Sequence, residues 1–158
     1  MASEVIIRKA TDEDVSSIVE LWKELMDFHK ERDRIFSRST TGHERFADYL
    51  KGHISKENSY LFVAEADKDI VGYCLVFIEK YPPVIELKEY CLVQDIAVTE
   101  KYRRRGIGKR FLNEAKRWYC EKGIRRVEAR VSTYNKAARD FWSDMGFTPY
   151  LETVFMET

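Results

Sequence analysis

"TEKYRRRGIGKR", residues 99–110, sets six basic residues and two glycines within twelve positions of a chain whose 27 Lys+Arg and 27 Asp+Glu cancel. The preceding residues, "DIAVT" (95–99), read as the end of a strand, and "KRFLNEAKRWYCEKG" (109–123) reads as a helix with Phe111, Leu112, Ala115, Trp118 and Tyr119 on one stripe. Positive charge at a helix N-terminus opposes the helix dipole, so this arrangement is mildly unfavourable on its own. An anion resolves the conflict. Open N–H groups of a first helical turn, permissive glycines and flanking guanidinium groups together make a phosphate site. A solvated basic loop is the plainer alternative.

Two familiar phosphate loops do not fit. A Walker loop needs GxxxxGK[ST], and the stretch lacks both the first glycine at that spacing and the hydroxyl after the lysine. A dinucleotide fingerprint needs a third glycine where Phe111 stands. What remains is R-x-x-G-x-G, from Arg103 to Gly108.

Outward from this loop, the rest of the chain reads as one α/β (α+β) domain over residues 1–158. "EVIIRKAT" is a short strand, and "TDEDVSSIVELWKELMDFHKERD" has helical spacing behind an acidic cap. "RIFSRSTTG" connects it to a second helix, "TTGHERFADYLKGHI". "SYLFVAEA" and "IVGYCLVFIEK" are joined by hairpin residues "DKD", and "IELKEYCLVQDIAVT" completes a central antiparallel meander. After the glycine loop and its helix come a strand in "RRVEARVST", a helix in "NKAARDFWSDMGF", and one or two terminal strands in "TPYLETVFMET". The order is β α α β β β α β α β, with no linker, repeat or low-complexity segment.

Composition narrows the partners. Hydrophobic residues make up 44% and charged residues 34% of the 158, which describes an ordinary globular chain. Zero formal charge argues against bulk nucleic-acid binding. No segment approaches the ~20 apolar residues of a membrane span, and the N-terminus lacks a signal-peptide pattern, so a cytoplasmic location is expected. Cys74, Cys91 and Cys120 show no metal or disulfide spacing and are expected to be free thiols, and the spacing of His29, His43 and His53 matches no metal motif.

The strand, then "KYRRRGIG", then helix, resembles the acetyl-CoA-binding motif of the GCN5-related N-acetyltransferase (GNAT) superfamily. "STYNKAARDFWSDMGF" (132–147) resembles its second signature, an Asn heading a helix that runs through Ala and an aromatic pair to Gly-Phe. The resemblance implies a mixed, mostly antiparallel sheet flanked by helices and splayed at the cofactor strand. It implies acetyl transfer from acetyl-CoA to a primary amine of a small molecule or peptide, without a metal. It places Ile96, Ala97 and Val98 along the cofactor arm, with a main-chain N–H near Ile96 as oxyanion donor. It further implies that Arg103, Arg104, Arg105, Gly106, Ile107, Gly108 and Lys109 hold the pyrophosphate, that Asn135 bonds the pantetheine, and that Arg139 reaches a phosphate or salt-bridges outward.

The chain departs from the family at two chemical positions. Trp142, counted with the cofactor residues, stands where the family commonly carries an acid tyrosine, and indole is not an acid near neutral pH. Gln94, placed at the acceptor, stands where polyamine-type members carry an acidic base. Asp95 is the expected amine-orienting residue, Tyr134 a substitute acid, and Glu86 or Glu89 bases acting through water. Phe28 and His29, on the first long helix, are expected to touch the acceptor. A CoA-binding sensor or assembly module with little transfer activity is the alternative. The strand-forming tail suggests a homodimer.

Overall fold

The computed structural model describes residues 3–158. Five strands and four helices alternate as β1 (Val5–Lys9), α1 (Val15–Lys30), α2 (Gly42–Ile54), β2 (Ser59–Ala66), β3 (Asp69–Lys80), β4 (Glu89–Val98), α3 (Ile107–Glu121), β5 (Val127–Ala129) and α4 (Lys136–Asp144). The sheet order is β1-β2-β3-β4-β5, antiparallel through β4 and parallel at the last step. This is the mixed, mostly antiparallel sheet that the sequence leads one to expect.

Alternation along β2, and along β3 after the extra residue Val71, splits the core into two layers. Leu61, Val63, Tyr73 and Leu75 face α1 and α2, where they pack with Ile18 and Leu50. Phe62, Cys74 and Val76 face α3 and α4, packing with Phe111, Ala115 and Trp142. The β2–β3 turn places Asp67 and Lys68 at φ 51° and 70°, the two left-handed residues of a hairpin turn that matches strand twist. Arg8 forks onto both carboxylate oxygens of Asp14 at 2.8 Å, and Asp14 accepts the Thr11 N–H at 2.8 Å, fixing the entry to α1.

Two expectations fail at the C-terminal end. Of "RRVEARVST" only Val127–Ala129 pairs, and residues 148–158 form no strand. The reason is the lack of a partner: a three-residue β5 offers too short a ladder, so the β-prone tail stays unpaired, with Leu151, Val154, Phe155 and Met156 exposed. Its anchors are side-chain contacts, Arg34 to Glu157 at 2.8 Å and the Arg126 guanidinium 4.8 Å over the Tyr150 ring. No helix among the described residues is long and apolar enough to cross a membrane.

Candidate active site

The site begins with a fault in the β3–β4 ladder. Leu75 pairs with Asp95, but Val76 pairs with Val93, so Gln94 is an extra, unpaired residue in β4. One inserted residue reverses every later side chain and amide. Before it, Cys91 and Val93 face the α3–α4 layer; after it, that layer receives Ile96 and Val98, while Asp95, cross-strand from Leu75, and Ala97 turn to the α1–α2 layer.

The amides follow the same logic. Cys91 N–H bonds Arg126 O toward β5, whereas Thr99 N–H bonds Val71 O toward β3, both at 2.9 Å. Alternation back from Thr99 turns the Val98 and Ile96 N–H groups toward the β5 edge. Without the bulge, alternation from Cys91 sends the Ile96 N–H to β3 instead. Because β5 pairs only with Cys91–Val93, the edge of β4 from residue 94 to 98 is left without a strand. The expected splay is present, and Ile96 opens onto it.

At the end of this edge, Val98 O accepts from Arg103 Nε at 2.9 Å, leaving the other guanidinium donors free. Arg104 turns the chain at φ 61° and Gly106 at φ 77°, a left-handed geometry that suits glycine at the head of α3. Gly106 brings no capping side chain, and the N–H groups of Ile107, Gly108 and Lys109 have no protein partner among the described residues. The loop is shaped by a second close approach: a Cβ on Gly108 would sit 2.9 Å from the Phe141 ring. Among the described residues none of Arg103, Arg104, Arg105, Lys109 or Arg110 meets a carboxylate, while Arg117, further along α3, is claimed by Glu114 and Glu121. Open amides, unpaired cations and a free strand edge are the donor set that a pyrophosphate and an amide-bearing arm require.

The α4 side completes this cleft. Asn135 caps α4, its side-chain oxygen accepting from Ala138 N–H at 3.1 Å, so its amide nitrogen remains a free donor. Arg139 makes no salt bridge among the described residues; it donates to Thr133 O at 3.2 Å. Trp142 is 7% exposed, packed between Phe141 and Phe147. Among the described residues its indole N–H has no protein partner, yet no fully enclosed polar side-chain atom there lacks one. The residual exposure of Trp142 therefore includes that N–H.

On the α1–α2 side, burial pushes the half-buried Asp95 carboxyl up to about 6, against a weaker opposing pull from the Tyr73 hydroxyl, which donates to it at 3.4 Å. Tyr49 of α2 lies near enough that Asp95 adds to the upward push burial gives its phenol. Neither tyrosine stands out in the sequence; the signal for Tyr73 is its place two residues before Leu75, on the face that the bulge gives to Asp95. Glu89 is on the wrong side. It pairs with Lys80 before the bulge, on the α3–α4 face with Cys91 and Val93, and six residues of strand put it ~20 Å from Asp95. Glu86 sits in the exposed loop before β4. Gln94 is exposed at the bulge.

His29 and Tyr134, 105 residues apart, meet: His29 Nδ1 and the Tyr134 hydroxyl are 2.8 Å apart. Phe36 and Phe28 pack on the imidazole, and Arg32 lies 3.8 Å from the Phe28 ring centre. Burial, then the Arg32 charge, lowers the His29 pKa. His53 has a structural place instead, buried beside Phe77 with Nδ1 2.5 Å from Ser59 Oγ. Cys74 and Cys91 are buried free thiols, and no described cluster of His, Cys, Asp or Glu could hold a metal.

The profile of the acetyltransferase (GNAT) family matches residues 18–147, and the chain belongs to that family. It is an acetyl-CoA-dependent N-acetyltransferase. Among similar proteins, the uncharacterized N-acetyltransferase YhfO of Bacillus subtilis (strain 168) is 24% identical over 143 residues, 89% of this chain and 88% of that one. In fold, a tetramutant of the BH1408 protein from Bacillus halodurans superposes with a TM-score of 0.85 at 21% identity, covering 97% of this chain and 99% of that chain. The aminoglycoside N-acetyltransferase AAC(6')-Iy, solved in complex with CoA, gives 0.79 at 19% identity, covering 100% and 97%.

Proposed function

We propose that this enzyme acetylates a primary amine of a small molecule or peptide by direct attack, with Asp95 receiving the amine. The observation that carries this reading is the Gln94 bulge, which in one step opens the Ile96 N–H to the strand edge and turns a carboxyl with a raised pKa to the opposite layer. Arg103, Arg104, Arg105 and the amides of Gly106 to Lys109 grip the pyrophosphate of acetyl-CoA. Ile96, Ala97 and Val98 offer main-chain groups to its arm, and Asn135 donates its free amide to it. The Ile96 N–H lies where an acetyl carbonyl oxygen gathers charge during attack, a contact worth ~3 kcal/mol in enzymes that rely on one such donor.

Asp95, ionised above about pH 6, draws the ammonium acceptor in and takes its proton. Tyr134 gives a proton to the sulfur as it leaves. Trp142 keeps its N–H and serves as a neutral hydrogen-bond donor on the cofactor side. Phe28 and Gln94 border the acceptor. A thiol-release assay over a broad amine panel tests the reading. Release that never exceeds the amine-free background with any amine would leave a CoA-binding sensor or assembly module as the better description. We further propose that a second copy of the chain covers Leu151, Val154 and Phe155; a monomeric mass by light scattering over a wide concentration range would remove that idea.

A further inference from the structure

We propose that His29 is a positioning residue for the transfer step: its Nδ1–H donates to the Tyr134 hydroxyl oxygen, leaving the phenolic proton free to be directed at the departing sulfur. The inference rests on the reading of Tyr134 as the acid. The 2.8 Å contact joins the last turn of α1 to the residue that precedes the α4 cap. The imidazole is not loose, since Phe36 lies 4.9 Å and Phe28 5.3 Å from it between ring centres. Arg32 also donates to Phe28 O at 2.7 Å, fixing the turn that carries His29.

A neutral imidazole can bond a phenol in two ways. If Nδ1 is bare, the phenol spends its only proton on the histidine and has none to give. If Nδ1 carries hydrogen, it donates to the phenol oxygen, and the phenol O–H points elsewhere. Burial and the Arg32 charge keep the ring neutral at physiological pH, so the choice between these two is the choice that matters.

In the second arrangement the step balances. The amine nitrogen bonds to the acetyl carbon, the carbon–sulfur bond breaks with its electron pair going to sulfur, and the Tyr134 proton moves to that sulfur as CoA thiol forms. The amine's surplus proton passes to Asp95 and on to water. The His29 Nδ1–H then bonds the phenolate until water returns a proton to it.

A double-mutant cycle tests this. His29→Leu should lower kcat ~10-fold, with KM for acetyl-CoA within ~2-fold, and should do nothing further in a Tyr134→Phe background. His29→Gln, whose amide donates in place of Nδ1–H, should recover most of the loss. Equal losses in both backgrounds, a change in KM alone, or a Gln variant no better than Leu would overturn the role of His29. Full kcat in Tyr134→Phe would overturn the acid itself, so the two failures are distinguishable. Should His29→Leu fold poorly by circular dichroism, His29→Ala replaces it, and the Gln rescue is read against that.

Discussion

The two sides of the splayed edge are built in different ways. Toward α3, the site is built mainly on contiguous chain, one strand end, one left-handed loop and one helix start within residues 96–110, with α4 closing it. Toward α1 and α2, it consists of single side chains carried on separate elements, Asp95 on β4, Tyr73 on β3, Tyr49 on α2, His29 on α1 and Tyr134 before α4. A donor site framed by backbone is set by local geometry, with glycines giving it room and arginines adding charge. An acceptor site made of dispersed side chains is free to be rebuilt one residue at a time.

The largest expected effect falls on the dispersed side. Asp95→Asn keeps the size and the contact with Tyr73 but removes the proton acceptor, and should lower kcat by ~10² or more. In the unaltered enzyme, kcat/KM should fall on the acid side with a midpoint near pH 6, following the raised Asp95 carboxyl, and the variant should lose that limb. A variant retaining full turnover and the same acid limb would move the base elsewhere and dissolve the contrast.

Next is the contiguous side. Arg103→Ala with Arg105→Ala should weaken acetyl-CoA binding by about 2 to 4 kcal/mol, the scale of charge-assisted bonds to phosphate, while leaving kcat at saturation nearly unchanged. Calorimetry with acetyl-CoA and with CoA lacking its phosphates separates the contacts. Unchanged affinity would mean that these unpaired guanidinium groups are merely solvated.

Asp95 also carries a smaller, opposite effect on stability. Its folded carboxyl holds a proton up to about pH 6, whereas an unfolded aspartate releases it near 4, so ionisation above pH 6 costs folding free energy that is regained as pH falls between those values. Asp95→Asn removes the cost and should stabilise the fold by roughly 1 to 3 kcal/mol at pH 7 and by little at pH 4. Urea melts at the two pH values check it. The same carboxyl is thus costly to the fold and needed by the chemistry, as expected where function opposes stability.

Legibility follows the same division. The glycine loop, the α3 stripe and the Asn135 cap were readable because each is a local pattern in consecutive residues. Asp95, His29 and Tyr134 could each be singled out by type, yet their groupings could not, since they depend on pairings up to 105 residues apart. The direction of Glu89 is hidden for a sharper reason. Side-chain direction along β4 depends on a count of residues, and the count is broken by Gln94, whose bulge appears only once β3 is laid beside it. The terminal strands failed similarly, because "YLETVFMET" has the right propensity but no partner edge.

The smallest expected effect joins the two sides. Trp142 sits on the cofactor side with its N–H at the remaining opening of an otherwise packed ring, so Trp142→Tyr places an acid where a neutral donor stands. With Tyr134 intact, a second phenol adds little, and kcat should stay within ~5-fold of the unaltered enzyme, less any loss from replacing an indole with a smaller ring in the core. In a Tyr134→Phe background the same substitution should restore at least ~10-fold of the lost kcat and bring back a fall in rate at high pH, since a phenol acts as an acid only while protonated. Restoration would make the proton donor a function that either side of the edge can supply. A folded, CoA-binding double variant with no recovery would mean that residue 142 packs the core and does not reach the sulfur, and that proton donation belongs to the dispersed side alone.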